Sequence, residues 1–198
     1  MRKTKEDTEA SRQSVIAAAK RIFCEKGYSA TKLEDIGKAV GMTRGVVYWH
    51  FKNKAELFQY LVEDAIGSIE ILVDEVLAED LSIMERLRKL FLRSQENHGV
   101  ALLKSIGPEE KVAKRFRKYV DDKGNKIVNR INRAFDEAKG RGELQAETDV
   151  RSILGLLSIF MNGLTSTTRI GMSMKPDTSN IEGMTNIIFK GILSYQKR

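Results

Sequence analysis

Apolar residues recur every three or four positions along almost the whole chain, a spacing that predicts helices rather than strands. Val15, Ile16, Ala19, Ile22 and Phe23 form one stripe over about Thr8 to Lys26, which Gly27 ends, and Tyr28 is expected to pack back on it. Leu33, Ile36 and Val40 form a shorter stripe from about Lys32 to Val40, introduced by Thr31 and Glu34 at capping-box spacing. Gly41 marks a turn, since glycine takes positive φ without steric cost. Thr43 caps a helix of barely two turns, about Arg44 to His50, with Val47 and Phe51 turned to the core. Asn53 and Glu56 open a long helix from about Lys54 to Glu79 that carries Leu57, Phe58, Leu61, Val62 and Ala65.

Asp80 or Ser82 starts the next helix, with Ile83, Leu87, Leu90 and Phe91 on one face, and Asn97-His98-Gly99 breaks it. A short helix from Val100 to about Ile106 stops at Gly107-Pro108. Glu109 and Glu110 suit the first turn of a long helix reaching about Lys139, with Gly124 as a candidate break. Thr148 caps a helix from about Asp149 to Gly171 that is apolar on more than one face and therefore buried on several sides. Residues 172–179 read as a loop before a last helix from about Asn180 to Tyr195. The pattern is all-α with about nine helices: an N-terminal three-helix domain, residues 1–55, and a C-terminal helical domain, residues 56–198.

Charge sharpens this division. Residues 1–55 hold 12 Lys and Arg against 6 Asp and Glu, whereas residues 56–198 hold 22 against 21. Nearly all of the net +7 thus lies in the first domain, the distribution expected of a phosphate-binding face. Arg2, Lys3 and Lys5 also fit a plain solvated tail, but Lys32, Arg44, Lys52 and Lys54 cluster around the two short helices. The single cysteine, Cys24, excludes an internal disulfide framework. No apolar run reaches the length of a membrane span and no signal-peptide pattern opens the chain, so a cytoplasmic protein without membrane association is expected. There is no Ser/His/Asp constellation, metal-ligand spacing or Gly-rich phosphate loop, and the only histidines are His50 and His98. No catalytic residue, metal site or cofactor is expected.

Two short helices joined by a tight turn form a helix-turn-helix pattern, whose second helix enters the DNA major groove. Roles follow from face and chemistry. Arg44 suits a bidentate contact to guanine O6 and N7. Thr43 can meet phosphate or a base edge, Gly45 lets the backbone approach, and Val46 can touch a thymine methyl. Tyr48 can donate to phosphate. Trp49 either packs against the DNA backbone or covers the junction with the first helix. Thr31 and Lys32, at one helix N-terminus, and Lys54, at another, are phosphate candidates.

The run Gly27 to Phe58, with T-R-G-V-V-Y-W-H-F-K-N-K at its centre, resembles the DNA-binding signature of the tetracycline-repressor (TetR) family, in the branch that controls multidrug efflux pumps. The resemblance covers about the first 60 residues. Two positions depart from it: Gly37 stands where alanine is usual, and Val47 where leucine is usual. By propensity alone Gly37 costs roughly 1 kcal/mol relative to alanine. The resemblance implies that His50 also reaches phosphate. It further implies a dimer built from the last two helices, with Ile153, Leu157, Phe160, Leu164, Met184, Ile188, Gly191, Ile192 and Tyr195 as candidates; packing within one chain is the alternative. A C-terminal effector cavity is implied as well, for which Phe91, Ser94, Gln95, His98, Phe116, Tyr119, Phe135, Phe160 and Asn162 are candidate liners.

The function expected on this basis is a ligand-responsive repressor. As a homodimer it binds a pseudo-palindromic operator in double-stranded DNA and is released by a small hydrophobic effector, with an efflux transporter as a possible target gene. The long helix from Lys54 links the two domains and would carry the change between them. A regulator answering to acyl or other metabolites, and a non-specific DNA-binding protein, are the alternatives. The latter predicts only a modest ratio of specific to non-specific affinity.

Overall fold

The computed structural model describes residues 5–96, 102, 111–166 and 180–195, leaving aside the side chains of 96, 111–115, 117, 162–166 and 195. Among the described residues there are eight helices and no strand: α1 (Lys5–Ala30), α2 (Leu33–Ala39), α3 (Arg44–His50), α4 (Lys54–Leu77), α5 (Ile83–Glu96), α6 (Lys111–Gly140), α7 (Val150–Ser166) and α8 (Ile181–Tyr195). The expected helix at Val100–Ile106 lies, apart from the buried Leu102, outside the described residues. So do its Gly107-Pro108 stop and the loop 172–179.

Side-chain caps fix the starts of α2, α4, α5 and α7. Asn53 accepts the Glu56 N–H at 2.9 Å, and Glu56 in turn accepts the Lys52 N–H at 2.8 Å, fixing the start of α4. Ser82 and Glu85 make a reciprocal pair at α5: Glu85 accepts the Ser82 N–H at 3.0 Å, and Ser82 Oγ accepts the Glu85 N–H at 3.4 Å. Two caps fall one residue from where they are expected. At α2, Asp35 accepts the Lys32 N–H at 3.4 Å, so Lys32 and not Thr31 is the capping position. At α7, Asp149 accepts the Ser152 N–H at 3.1 Å, a role expected of Thr148. The break expected at Gly124 is absent, and α6 runs through it as one helix.

The chain divides into two compact units: Met1–Ile69 with Asn97–Lys123, and Glu70–Glu96 with Gly124–Arg198. Packing thus groups the chain differently from a linear split at residue 55. In the first unit Val15, Ala19, Ile22 and Phe23 of α1 meet Ile36 of α2, Val47 of α3 and Leu57, Phe58, Leu61 and Val62 of α4. Phe23 and Tyr28 each lie 5.0 Å from Phe58, ring centre to ring centre, and this aromatic contact closes the end of α1. Phe116 is buried in this same core, with Tyr119 partly buried against it.

The second core gathers Ile83, Leu87 and Phe91 of α5, Phe135 and Ala138 of α6, Ile153 and Leu157 of α7, and Phe189 and Ile192 of α8. Ile153, Leu157 and Ile192, expected at a subunit interface, are therefore spent inside their own chain. Phe160, Met184 and Ile188 are half-buried and Gly191 is exposed. The side chains of Leu164 and Tyr195 lie outside the description. Among the described residues, the large apolar side chains that α7 and α8 leave in solvent are Leu156, Ile159 at 72% exposure, Ile187 at 74% and Leu193.

Candidate nucleic-acid interface

The site is built on the turn between α2 and α3. Gly41 adopts φ 65°, the left-handed conformation that residues with a Cβ disfavour. The chain then reverses so that the Met42 N–H reaches Gly37 O at 2.8 Å and the Gly41 N–H reaches Lys38 O at 3.1 Å. A Cβ on Gly37 would stand 3.1 Å from Met42 O and 3.4 Å from Val47 Cγ2. The turn thus folds directly over Gly37, and the cost of glycine in the helix is offset by the closeness it permits.

Val47 is fully buried and anchors α3 on the first core. That orientation puts Thr43, Arg44, Gly45, Tyr48 and Trp49 in solvent and leaves Val46 half-exposed. Trp49 is 67% exposed, so it does not cover the junction with α1. Lys32 is exposed at the start of α2. The Asp35 carboxyl beside it is held below its ordinary range, first by the Lys32 N–H and then by the nearby Lys26 ammonium.

Three residues expected on DNA are engaged inside the protein. Thr31 is buried, donating its hydroxyl to Gly27 O at 2.7 Å and its N–H to Tyr28 O at 3.3 Å. Gly27, at φ 79° and ψ 167°, interrupts α1 and turns its carbonyl toward Thr31, which is why that hydroxyl does not cap α2. Lys54 Nζ donates to Tyr28 O at 2.8 Å, Thr31 O at 2.9 Å and Ser29 O at 3.4 Å, and sits 4.4 Å from the Tyr28 ring centre. Its ammonium closes the carbonyl-rich end of α1 instead of pointing at phosphate. His50 Nε2 lies 2.5 Å from the Oγ of buried Ser11, and Ser11 also donates to Thr8 O at 3.1 Å. That arrangement makes Ser11 the acceptor from His50 Nε2–H, a bond that ties α3 to α1.

Arg44 is held in a defined pose. Its Nη1 is 2.7 Å from Glu34 Oε1, its Nη2 donates to Tyr48 Oη at 3.0 Å, and its guanidinium lies 4.9 Å from the Tyr48 ring centre. The chain spacing of Glu34 suggests only a cap, so its role in this cluster is not visible in sequence. The Arg12 guanidinium sits 4.5 Å from the Tyr60 ring centre and 5.3 Å from that of Phe51, where it bridges α1 to α4.

Residues 15–61 match the family model of bacterial regulatory proteins of the tetR family. Over 175 residues the chain is 31% identical to the probable HTH-type transcriptional regulator ArpR of Pseudomonas putida, covering 83% of this chain and 82% of ArpR. The chain belongs to the TetR family. Its fold agrees with the crystal structure of MexZ, a repressor responsible for antibiotic resistance in Pseudomonas aeruginosa, with a TM-score of 0.65 at 24% identity over 93% of this chain and 95% of MexZ. A SmeT–triclosan complex is similar with a TM-score of 0.61 at 23% identity, over 89% and 90% of the two chains. This TetR-family chain is accordingly a helix-turn-helix transcriptional regulator that binds DNA.

Of the expected effector liners, Phe91, Ser94, Gln95, Phe135 and Phe160 lie in the second unit, whereas Phe116 and Tyr119 belong to the first. Phe91 and Phe160 stack at 5.3 Å with 14° between planes. Gln95 Nε2 donates to Met161 Sδ, while the Ser94 hydroxyl donates to Phe91 O at 2.7 Å and lies 3.8 Å from that sulfur. Phe135 is fully buried core. His98 and the Asn162 side chain lie outside the description. Among the described residues, no three His, Cys, Asp or Glu side chains gather as metal ligands, and no helix is long and apolar enough to cross a membrane.

Proposed function

We propose that the chain is a repressor that acts as a homodimer on a pseudo-palindromic operator in the cytoplasm, performs no catalysis, and is released by a small hydrophobic ligand. The observation that carries the reading is α3 itself. Val47 points in and Arg44, Tyr48 and Trp49 point out, so a base-reading arginine stands beside two aromatic side chains in solvent. The direct DNA set proposed is Lys32, Thr43, Arg44, Gly45, Val46, Tyr48 and Trp49. The functional division proposed keeps DNA contact within residues 1–55 and assigns effector binding and dimerisation to 56–198.

The dimer is supported by the outer faces of the last two helices. Ser152, Gly155, Leu156 and Ile159 share one exposed face of α7, and Ile187, Lys190, Gly191 and Ser194 share one of α8. Small residues between large apolar ones allow helices to approach closely, and two recognition helices are needed for a two-half-site operator. The effector reading is supported by Gln95, whose amide, among the described residues, donates to the weak thioether acceptor of Met161 next to the Phe91–Phe160 stack. A ligand carbonyl would serve that amide better, against an apolar wall. SmeT, which is similar in fold, is complexed with triclosan. MexZ, as a repressor responsible for antibiotic resistance, supports an efflux or resistance gene as the target. Ligand binding would act through α4, which contributes residues to both units.

The test is selection of genomic fragments by the purified protein at near-physiological salt. A recovered pseudo-palindrome near a transporter gene, released by hydrophobic compounds, is the expected result. Binding with no sequence preference sinks the operator reading.

A further inference from the structure

We infer that Glu34 is a specificity-determining residue: by pairing with Arg44 it keeps that guanidinium from settling on phosphate and presents it for a base. This rests on α3 being the reading helix. The pair spans the turn, from the first turn of α2 to the first residue of α3, with 2.7 Å between Glu34 Oε1 and Arg44 Nη1. Both side chains remain open to DNA, at 38% and 61% exposure. The Tyr48 hydroxyl holds the second terminal nitrogen at 3.0 Å. Two anchors fix the plane of the fork and leave its other N–H groups to meet an acceptor pair.

The reason for discrimination is electrostatic. A phosphate approaching Arg44 meets a local charge that Glu34 has already cancelled, and is itself repelled by the carboxylate. Guanine O6 and N7 carry only partial charge, so the carboxylate opposes them far less. Phosphate contacts carry no sequence information, so a residue that penalises them selectively raises the ratio of operator to random binding. The pair is too exposed to matter much for folding, since exposed ion pairs contribute little to stability.

The experiment compares wild type, Glu34→Gln, Arg44→Ala and the double variant. Each is titrated against a short duplex cloned from the selected genomic fragments and against a random-sequence duplex, over a range of salt. In Glu34→Gln, random-duplex affinity should rise several-fold, and its log–log salt slope should steepen by about 0.9, one released counterion for the phosphate that Arg44 now gains. The ratio of selected to random affinity should fall roughly three- to tenfold, while the thermal midpoint stays unchanged. In the Arg44→Ala background the same glutamine should move both duplexes equally. An equal gain on both duplexes with Arg44 present, or an unchanged salt slope on random DNA, overturns the proposal. If wild type itself shows no preference for the selected duplex, the operator reading fails, and the slope on random DNA still decides what Glu34 does.

Discussion

Lys54 and Arg44 are both cations beside a helix start, yet they act differently because of what surrounds them. Lys54 meets three backbone carbonyls at the end of α1; Arg44 meets a carboxylate and a phenol in solvent. Lys54→Ala should therefore lower stability by about 1–3 kcal/mol, the scale of hydrogen bonds to a charged group, and leave the salt slope of DNA binding unchanged at temperatures where the variant is folded. Thermal melts and salt titrations separate the two effects. Arg44→Ala should do the reverse, leaving the melt unchanged and losing about 1–3 kcal/mol of discrimination at one base position. Gly37→Ala gains helix propensity but crowds Met42 O, so its stability should stay within about 1 kcal/mol of wild type. A gain near the full propensity value would show that the turn yields easily.

Some helix ends set by neighbours a few residues apart were legible in the sequence, although the caps of α2 and α7 fell one residue away. The Asn53–Glu56 cap and the Gly41 turn follow from local chemistry alone. What was not legible came from groups brought together by folding. Thr31 lost its capping role to a carbonyl turned by the kink at Gly27, and Lys54 found partners 23 to 26 residues away. The α5 start shows the same principle at longer range, since Glu143, beyond the end of α6, accepts the Ile83 N–H at 2.9 Å. That bond, with Arg141 beside it, holds the Glu143 carboxyl below its ordinary range. Its folded pKa thus lies below the unfolded value of about 4.3. The stabilisation is full above that value and is lost as pH falls through the folded pKa. Glu143→Gln should lower the thermal midpoint near neutral pH and weaken its dependence on acid below about pH 4, as melts across a pH series can show.

At the scale of the whole molecule, periodicity announced an all-helical chain but could not tell an inward stripe from an outward one on α7. That helix is apolar nearly all round, so Ile153 and Leu157 looked as available as Leu156 and Ile159. Only the folded core separates them. If the proposed dimer joins these faces, replacing Ile159 and Ile187 by glutamate, both largely in solvent, should leave the protomer folded while sedimentation shifts from dimer to monomer and operator affinity falls. Retention of the dimer would move the interface elsewhere.

The first compact unit is not one continuous stretch: it borrows 97–123, including Leu102 and Phe116, to finish a core begun by α1 and α4. On the ribosome, then, α1 to α3 leave the exit tunnel ahead of residues 97–123 but cannot complete their packing until residue 123 has followed. A stop codon just after α4 would yield a fragment with an uncovered apolar seam at Phe58, a substrate for proteases rather than a miniature DNA-binding module.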